Sequence, residues 1–407
     1  MDPSLFLVAG EVSGDIYGAD LAAALRRRRP DLNLVGVGGP RMEAAGVRHL
    51  LDSEAWGVIG WMEALPQVPV FLRRLGVVMS AIEATNPAGV VLIDFPGFNL
   101  PLARRLGRRR PVAYFMPPMV STRRGDRAGA VARLGLRLLA AFPFEADAYR
   151  RAGADVVFIG HPALDRVRPS AGPGEVRARL GFPLDAPVVA LLPGSRRGEL
   201  RRHLPVMVEA LSRLRHDHPQ LRAVLPVAAP AFRDMVEREV AALAAPVALL
   251  EGGSQEAYDA LSAADFAAVA SGTATLEAMC LGLPMVVIYR LSRLTWWYAT
   301  RFVAAVSTAA LPSLLAGRRV VPELLQDALT SQALAATLST WLGDGRARAA
   351  MAAELLALRA RLGEGGAVDR AAGEILGVVG LIEPAAAHLQ RTARSGVTAA
   401  PGEAGES

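Results

Sequence analysis

A chain of 407 residues has room for two or three domains with separate cores, which excludes a peptide or a single small module. Hydrophobic residues make up 52% and charged residues 21%, so enough apolar surface can be buried to offset the entropy of ordering, and broad disorder is excluded. All 45 basic residues are arginine and the formal net charge is +6. With no aromatic-interleaved RNA motif and no spaced metal-finger ligands, that charge does not imply nucleic acid; anionic lipid or phosphate-bearing substrates account for it as well.

The first apolar run, Leu5 to Ala9, is short, follows no basic segment and passes directly into Gly10, so it reads as a buried strand and not as a signal peptide. Further strand candidates follow at Leu34 to Val37, Val90 to Ile93, Val112 to Phe115 and Val156 to Ile159, each ending at Gly, Asp or Pro and most followed by helix-like sequence. That alternation signals an α/β protein with a parallel sheet and functional loops at the strands' carboxyl ends. A polar stretch from Pro162 to Pro187 separates this half from a second one. There the strand candidates are Val188 to Leu192, Ala223 to Val227, Val247 to Leu250, Phe266 to Val269 and Pro284 to Tyr289, with helices expected over Leu200 to His216, Ala231 to Leu243 and Gln255 to Ala263. The expected division is two Rossmann-like domains, 1–165 and 166–330, then C-terminal helices over 331–390 that pack back or are swapped, and a disordered tail at 391–407. The site is expected in the cleft where the two sheets face one another.

Cys280 is the only cysteine, which removes an internal disulfide framework and favours a reducing compartment, so the cytoplasm is expected. No stretch of about 18 residues stays apolar without interruption, so the chain can touch a membrane without spanning it.

Two strand-to-helix turns of the second half suit a diphosphate. Ser271-Gly272-Thr273-Ala274, with Glu277, opens a helix whose backbone N–H groups and positive dipole end point outward, although ordinary N-capping would select the same residues. Gly194-Ser195-Arg196 allows close backbone approach, and Arg196 offers planar donors to phosphate oxygens. In the first half, Gly10-Glu11-Val12-Ser13-Gly14-Asp15 stands where a dehydrogenase would carry G-x-G-x-x-G, which argues against nicotinamide chemistry. Glu11, Ser13 and Asp15 suit sugar hydroxyls, while Asp15 equally suits a helix N-terminus.

Asp94, at the end of a buried strand, is the leading general-base candidate, with a loop-stabilising turn as its structural alternative. His161 is a further ligand-contact candidate, although lone histidines are more often structural. There is no H-E-x-x-H, Cys pair or D-x-D, so neither a metal nor a cofactor is expected, and a leaving diphosphate would be neutralised by arginine and helix termini.

These segments, together with Gly39-Pro40-Arg41-Met42, Phe98-Asn99, Pro143-Phe144-Glu145, Gly160-His161-Pro162 and Pro284 to Arg290, resemble in order the lipid-A-disaccharide synthase family, inverting glycosyltransferases of the two-domain GT-B type. The resemblance implies transfer of 2,3-diacylglucosamine from UDP to 2,3-diacylglucosamine 1-phosphate, forming a β-1,6 link and releasing UDP without a metal. Asp94 would then be the catalytic base, Arg196 and the Ser271 turn would hold the diphosphate, and Glu277 would meet the ribose. Asn99 and Arg123 join Glu11, Ser13, Asp15 and His161 as sugar or acceptor contacts. Peripheral attachment to the inner leaflet, and a homodimer by C-terminal exchange, are also implied. The chain departs from the family pattern at Gly97, Val120, Thr122 and Ser313, where an Asp, two Trp and an Asn are usual.

An apolar and basic segment containing Trp61, Met62, Val70, Phe71, Leu72, Arg73 and Arg74 suits acyl chains and anionic headgroups, with a core-facing helix as the alternative. Other readings are a related transferase with another lipid acceptor, a UDP-N-acetylglucosamine 2-epimerase, which would not need that segment, and a homologue that binds UDP-sugar or lipid without turnover.

Overall fold

The computed structural model describes residues 3–52, 68–120, 126–241, 243, 246–292, 296, 308 and 310–382. Trp61, Met62, Arg123 and the tail at 391–407 therefore lie outside the described residues, as does the side chain of Glu11.

Among the described residues the strands form two parallel sheets. The first contains β1 (Ser4–Ala9), β2 (Asn33–Gly38), β3 (Arg48–Asp52), β4 (Gly89–Ile93), β5 (Val112–Phe115), β6 (Arg137–Ala140) and β7 (Val156–Phe158), in the order β3-β2-β1-β4-β5-β6-β7. The second contains β8 (Val188–Leu192), β9 (Arg222–Val227), β10 (Val247–Glu251), β11 (Phe266–Ala270), β12 (Met285–Tyr289) and β13 (Glu323–Leu325), in the order β10-β9-β8-β11-β12-β13. The central strands are apolar throughout because helices cover both faces of each sheet. Successive residues of β1 enter opposite cores: Leu5, Leu7 and Ala9 pack in one, Phe6 and Val8 in the other. In β8, Val188, Ala190 and Leu192 alternate likewise with Val189 and Leu191.

Three strands escape sequence reasoning. β3 (RHLLD) and β13 (ELL) are short and carry charge, and β6 (RLLA) sits inside an Arg- and Leu-rich run of helical character. Their strand form comes from a neighbour's unpaired edge, since β3 pairs with β2, β13 with β12, and β6 lies between β5 and β7.

The helix Ala367–Val378 returns to the first sheet. Val368, Ala371, Ala372, Ile375 and Leu376 form an i, i+3, i+4, i+7, i+8 stripe buried against the helix Glu11–Arg28. Burying the Val, Ile and Leu side chains of that stripe contributes on the order of 5 kcal/mol gross. Arg28 donates to Asp369 at 2.8 Å and Arg137 to Glu374 at 2.7 Å, fixing the seat. The first core thus closes with a helix from its own chain. No described helix is long and apolar enough to cross a membrane.

Candidate functional site

In both sheets the strand order reverses at one place, and there the crossover helices diverge to opposite faces and leave a crevice at the carboxyl edge. In the first sheet that place is between β1 and β4; in the second it is between β8 and β11. The Gly10 turn and Asp94 therefore flank one crevice, while the Gly194 and Ser271 turns flank the other. The two carboxyl edges meet: Arg41, after β2, donates to Gly252 O at 2.7 Å and to Glu251 Oε1 at 3.0 Å, both at the end of β10. A Cβ placed on Gly253 would lie 3.2 Å from Ile16 of the opposite lobe.

At the first crevice the backbone is strained. Asp94 has φ +45° and Phe95 φ +50°, left-handed values that a phenylalanine rarely adopts. The bend turns the chain from β4 into the helix Pro96–Leu106, and three bonds hold Asp94 in it. Its N–H donates to Phe115 O at 3.0 Å, and its carbonyl accepts from the Tyr114 hydroxyl at 2.9 Å and from Asn99 Nδ2 at 2.8 Å. Burial holds the Tyr114 phenol far above its usual range, so it stays a donor. The Asp94 carboxylate meets Ser13, whose Oγ donates to Oδ2 at 3.4 Å. Gly10 completes the crevice, since a Cβ there would sit 2.4 Å from the Phe95 ring.

At the second crevice Gly194 has φ +116°, and a Cβ there would strike Glu199 Oε2 at 2.5 Å, so the turn needs glycine twice over. Buried Glu199 accepts from Ser195 N at 3.1 Å and pairs with Arg196 Nη1 at 3.3 Å, which places the half-exposed Arg196 side chain at the mouth. His203 joins the two sides of the crevice. Its Nε2 accepts from Arg290 N at 2.9 Å, so Nδ1 carries the proton and donates to Pro193 O at 2.8 Å. Burial lowers its pKa and keeps it neutral.

In the Ser271 turn, Ser271 N donates to Ile288 O at 3.0 Å, continuing the sheet, and buried Thr275 donates to Gly272 O at 2.7 Å. Thr273, the N-cap of the helix Ala274–Cys280, makes no side-chain cap bond. Glu277, half-buried, accepts from the Tyr258 hydroxyl at 3.0 Å, and burial raises its pKa.

Four sequence expectations are corrected. Asp15 is buried and accepts from Gly39 N, Arg41 N and Met42 N at 2.9 to 3.0 Å, so it caps the helix Pro40–Ala44 and has little room for a sugar hydroxyl. Asn99 is fully buried under the Asp94 bend and reaches Val8 O, Ile93 O and Asp94 O, which makes it a support of the crevice and not a ligand contact. His161 is buried against Tyr17 and Phe142, accepts from Ala163 N at 3.1 Å and is pushed down to about 3 by burial, so it is a neutral structural residue. Phe71 packs edge-on against Phe98 with the core beneath, while Val70, Leu72, Val77 and Arg73 of the helix Val68–Thr85 face solvent.

Sequence reasoning passed over Tyr114, Glu145 and His203 as supports. Glu145, 25 positions from its partner Val120 N, holds the loop after β5 at 2.8 Å. The departure at Ser313 is buried and accepts from Val320 N at 3.2 Å, while Gly97 has open space where a Cβ would be. Among the described residues no three His, Cys, Asp or Glu side chains gather as metal ligands would.

Known proteins share the family sequence pattern and the fold. A family model described as lipid-A-disaccharide synthetase matches residues 5–364. The lipid-A-disaccharide synthase of Myxococcus xanthus is 42% identical over 375 residues, covering 92% of this chain and 97% of the relative. That of Geobacter sulfurreducens is 38% identical over 379 residues with the same coverage, and that of Pseudomonas aeruginosa is 43% identical over 343 residues, 83% of this chain and 89% of the relative. Among solved structures, the UDP-GlcNAc 2-epimerase of Neisseria meningitidis bound to UDP-GlcNAc superposes with a TM-score of 0.62 at 13% identity, covering 90% of this chain and 97% of that one. MurG of Acinetobacter baumannii gives 0.52 at 16% identity, covering 92% and 99%. Those two show the shared two-sheet fold; the sequence relatives show the family. The chain belongs to the lipid-A-disaccharide synthetase family and has the GT-B glycosyltransferase fold.

Proposed function

We propose that this glycosyltransferase moves 2,3-diacylglucosamine from UDP to the 6-hydroxyl of 2,3-diacylglucosamine 1-phosphate. Asp94 takes the hydroxyl proton as the acceptor oxygen attacks the anomeric carbon from the face opposite the diphosphate. The bond from that carbon to the diphosphate oxygen breaks, UDP leaves, and the new β-1,6 link carries inverted configuration. Arg196 and the 271–274 turn offset the charge growing on the leaving diphosphate. Glu277 accepts from ribose hydroxyls, and Ser13 steadies the Asp94 carboxylate.

The observation that carries this reading is the pairing of the two reversal points. One presents a carboxylate on a bend held by three hydrogen bonds, the other an arginine and a helix start, and the sheet edges bearing them are in contact. The exposed Val70, Leu72 and Val77 beside Arg73 support contact with an anionic inner leaflet, from which both acylated substrates would be drawn.

The test is incubation of the purified chain with UDP-2,3-diacylglucosamine and the monosaccharide phosphate, reading UDP and disaccharide by mass spectrometry. Both products are expected. UDP release that requires a different acceptor would overturn the acceptor assignment and leave the reaction class standing.

A further inference from the structure

Glu277 is tied to the opposite lobe through a chain of partly buried polar contacts. Its partner Tyr258, on the helix Gln255–Ser262, is buried and donates to Oε1 at 3.0 Å. The Arg166 guanidinium lies against the same hydroxyl, and its charge works against the rise that burial imposes on that phenol. Arg166 Nη1 donates to both oxygens of Asp20, at 2.7 and 2.8 Å, and Nη2 donates to Gly253 O at 2.7 Å. Asp20 belongs to the helix Glu11–Arg28, which packs on the first sheet, whereas Tyr258 and Glu277 belong to the second lobe. Arg41 grips the neighbouring carbonyl of Gly252, so consecutive carbonyls of one turn are held by two arginines that also bond acidic partners.

We infer that Tyr258 is a positioning residue for the sugar-nucleotide donor: it orients Glu277 toward the nucleotide and, through Arg166 and Asp20, links that orientation to the seating of the two lobes. The inference rests on the reading of Glu277 as the ribose contact. A free glutamate must give up rotamer freedom when it binds a ligand. One whose Oε1 accepts from a buried phenol has given up much of that freedom on folding, which leaves Oε2 for the ligand. Tyr258 need not touch the nucleotide to strengthen binding. The link to Asp20 adds a second condition, because Arg166 divides its Nη1 and Nη2 donors between Asp20 and the Gly253 carbonyl and keeps both sets of bonds only when the lobes are seated as they are here.

The test uses the full chain and two probes, UDP and 2′,3′-dideoxy-UDP, by calorimetry, with donor KM and kcat measured alongside. Tyr258→Phe keeps the ring and removes the hydroxyl. It is expected to weaken UDP binding about tenfold, the scale of a buried hydrogen bond to a charged group. The preference for UDP over the dideoxy probe should shrink, and donor KM should rise with kcat nearly unchanged. Asp20→Asn touches no ligand and should shift UDP affinity in the same direction by about threefold, the scale of a weakened ion-pair hydrogen bond; it also carries the test should Tyr258→Phe fail to fold. Wild-type affinity and preference in both variants, with the preference lost in Glu277→Gln, would overturn the inference while sparing the ribose reading. An unchanged preference in Glu277→Gln would overturn both.

Discussion

Replacing Asn99 by alanine separates the support of Asp94 from the binding of UDP. The Asn99 amide has two N–H hydrogens facing three carbonyls, Asp94 O at 2.8 Å, Ile93 O at 3.2 Å and Val8 O at 3.3 Å, so two bonds form at a time, the short one and one shared. Asp94 O keeps its bond from Tyr114, while the buried carbonyls of Val8 and Ile93 lose the side-chain donor. Each lost bond costs about 1 kcal/mol, and a buried acceptor left short adds a similar amount, so Asn99→Ala should lower stability by about 2 to 3 kcal/mol. Asn99 Oδ1 is buried without a partner, and removing it recovers a little of that loss, which favours the lower end. In a lobe of this size the loss corresponds to a Tm lower by about 4 to 12 °C.

The functional effect should exceed the thermal one, because the left-handed bend at Asp94 and Phe95 stores about 1 to 3 kcal/mol per residue and relaxes once its support is gone. Turnover should fall while UDP affinity, which the proposed function assigns to the other crevice, stays at the wild-type value. Denaturant unfolding, calorimetry with UDP and product formation test the three parts separately. A variant that unfolds at the wild-type midpoint and turns over at the wild-type rate would refute the reasoning. So would equal losses in turnover and UDP affinity. Tyr114→Phe, which removes one of the two bonds to Asp94 O, should show the same pattern with a stability loss of about 1 kcal/mol.

Asp94→Asn should reduce turnover by about 10²-fold or more, the range of a positioned general base, with UDP affinity nearly intact; a wild-type rate would remove Asp94 from that role. Arg196→Ala should weaken UDP about tenfold while lowering stability by no more than about 1 kcal/mol, since the arginine end of its pair with buried Glu199 is half-exposed and Glu199 keeps its bond from Ser195 N; unaltered UDP affinity would count against the diphosphate assignment. Gly97→Asp should raise stability by about 1 kcal/mol, because the position is in the first turn of a helix with open space around it and glycine is a poor helix former; a fall in Tm would contradict that geometry. His161 titrates at about 3 in the fold, below the ordinary imidazole value of about 6.5. Its contribution is therefore complete above pH 6.5 or so and is lost as pH falls toward 3, and His161→Gln should lessen the acid sensitivity of stability over that interval. An unchanged acid limb would show that His161 is not the group responsible.

Much of the architecture is legible without coordinates. The apolar runs at β1, β4, β5, β8, β11 and β12 announce a parallel α/β protein, because strands buried on both faces must be apolar at every position. The Gly194 turn is legible for a related reason: only glycine tolerates φ +116° with a glutamate pressed against the missing Cβ. The polar residues at the strand ends could be nominated but not ranked. Asp15, Ser13, Asn99 and His161 all read as ligand candidates, and in the fold Asp15 caps a helix 24 positions away, Asn99 bridges to Val8 across 91, and His161 is sealed among aromatic rings.

The difference lies in the range of the interactions. Strand identity and turn chemistry are local properties of a few consecutive side chains, and the amino-acid order alone determines them. Strand order in the sheet, and with it the two reversal points that give Asp94 and Arg196 their crevices, depends on pairings between residues far apart in the chain. The same is true of the Asp20 to Glu277 contacts and of the helix at 367–378 that closes the first core. A carboxylate's use as a base, a cap or a brace follows from which distant donors reach it, and only the folded chain decides that.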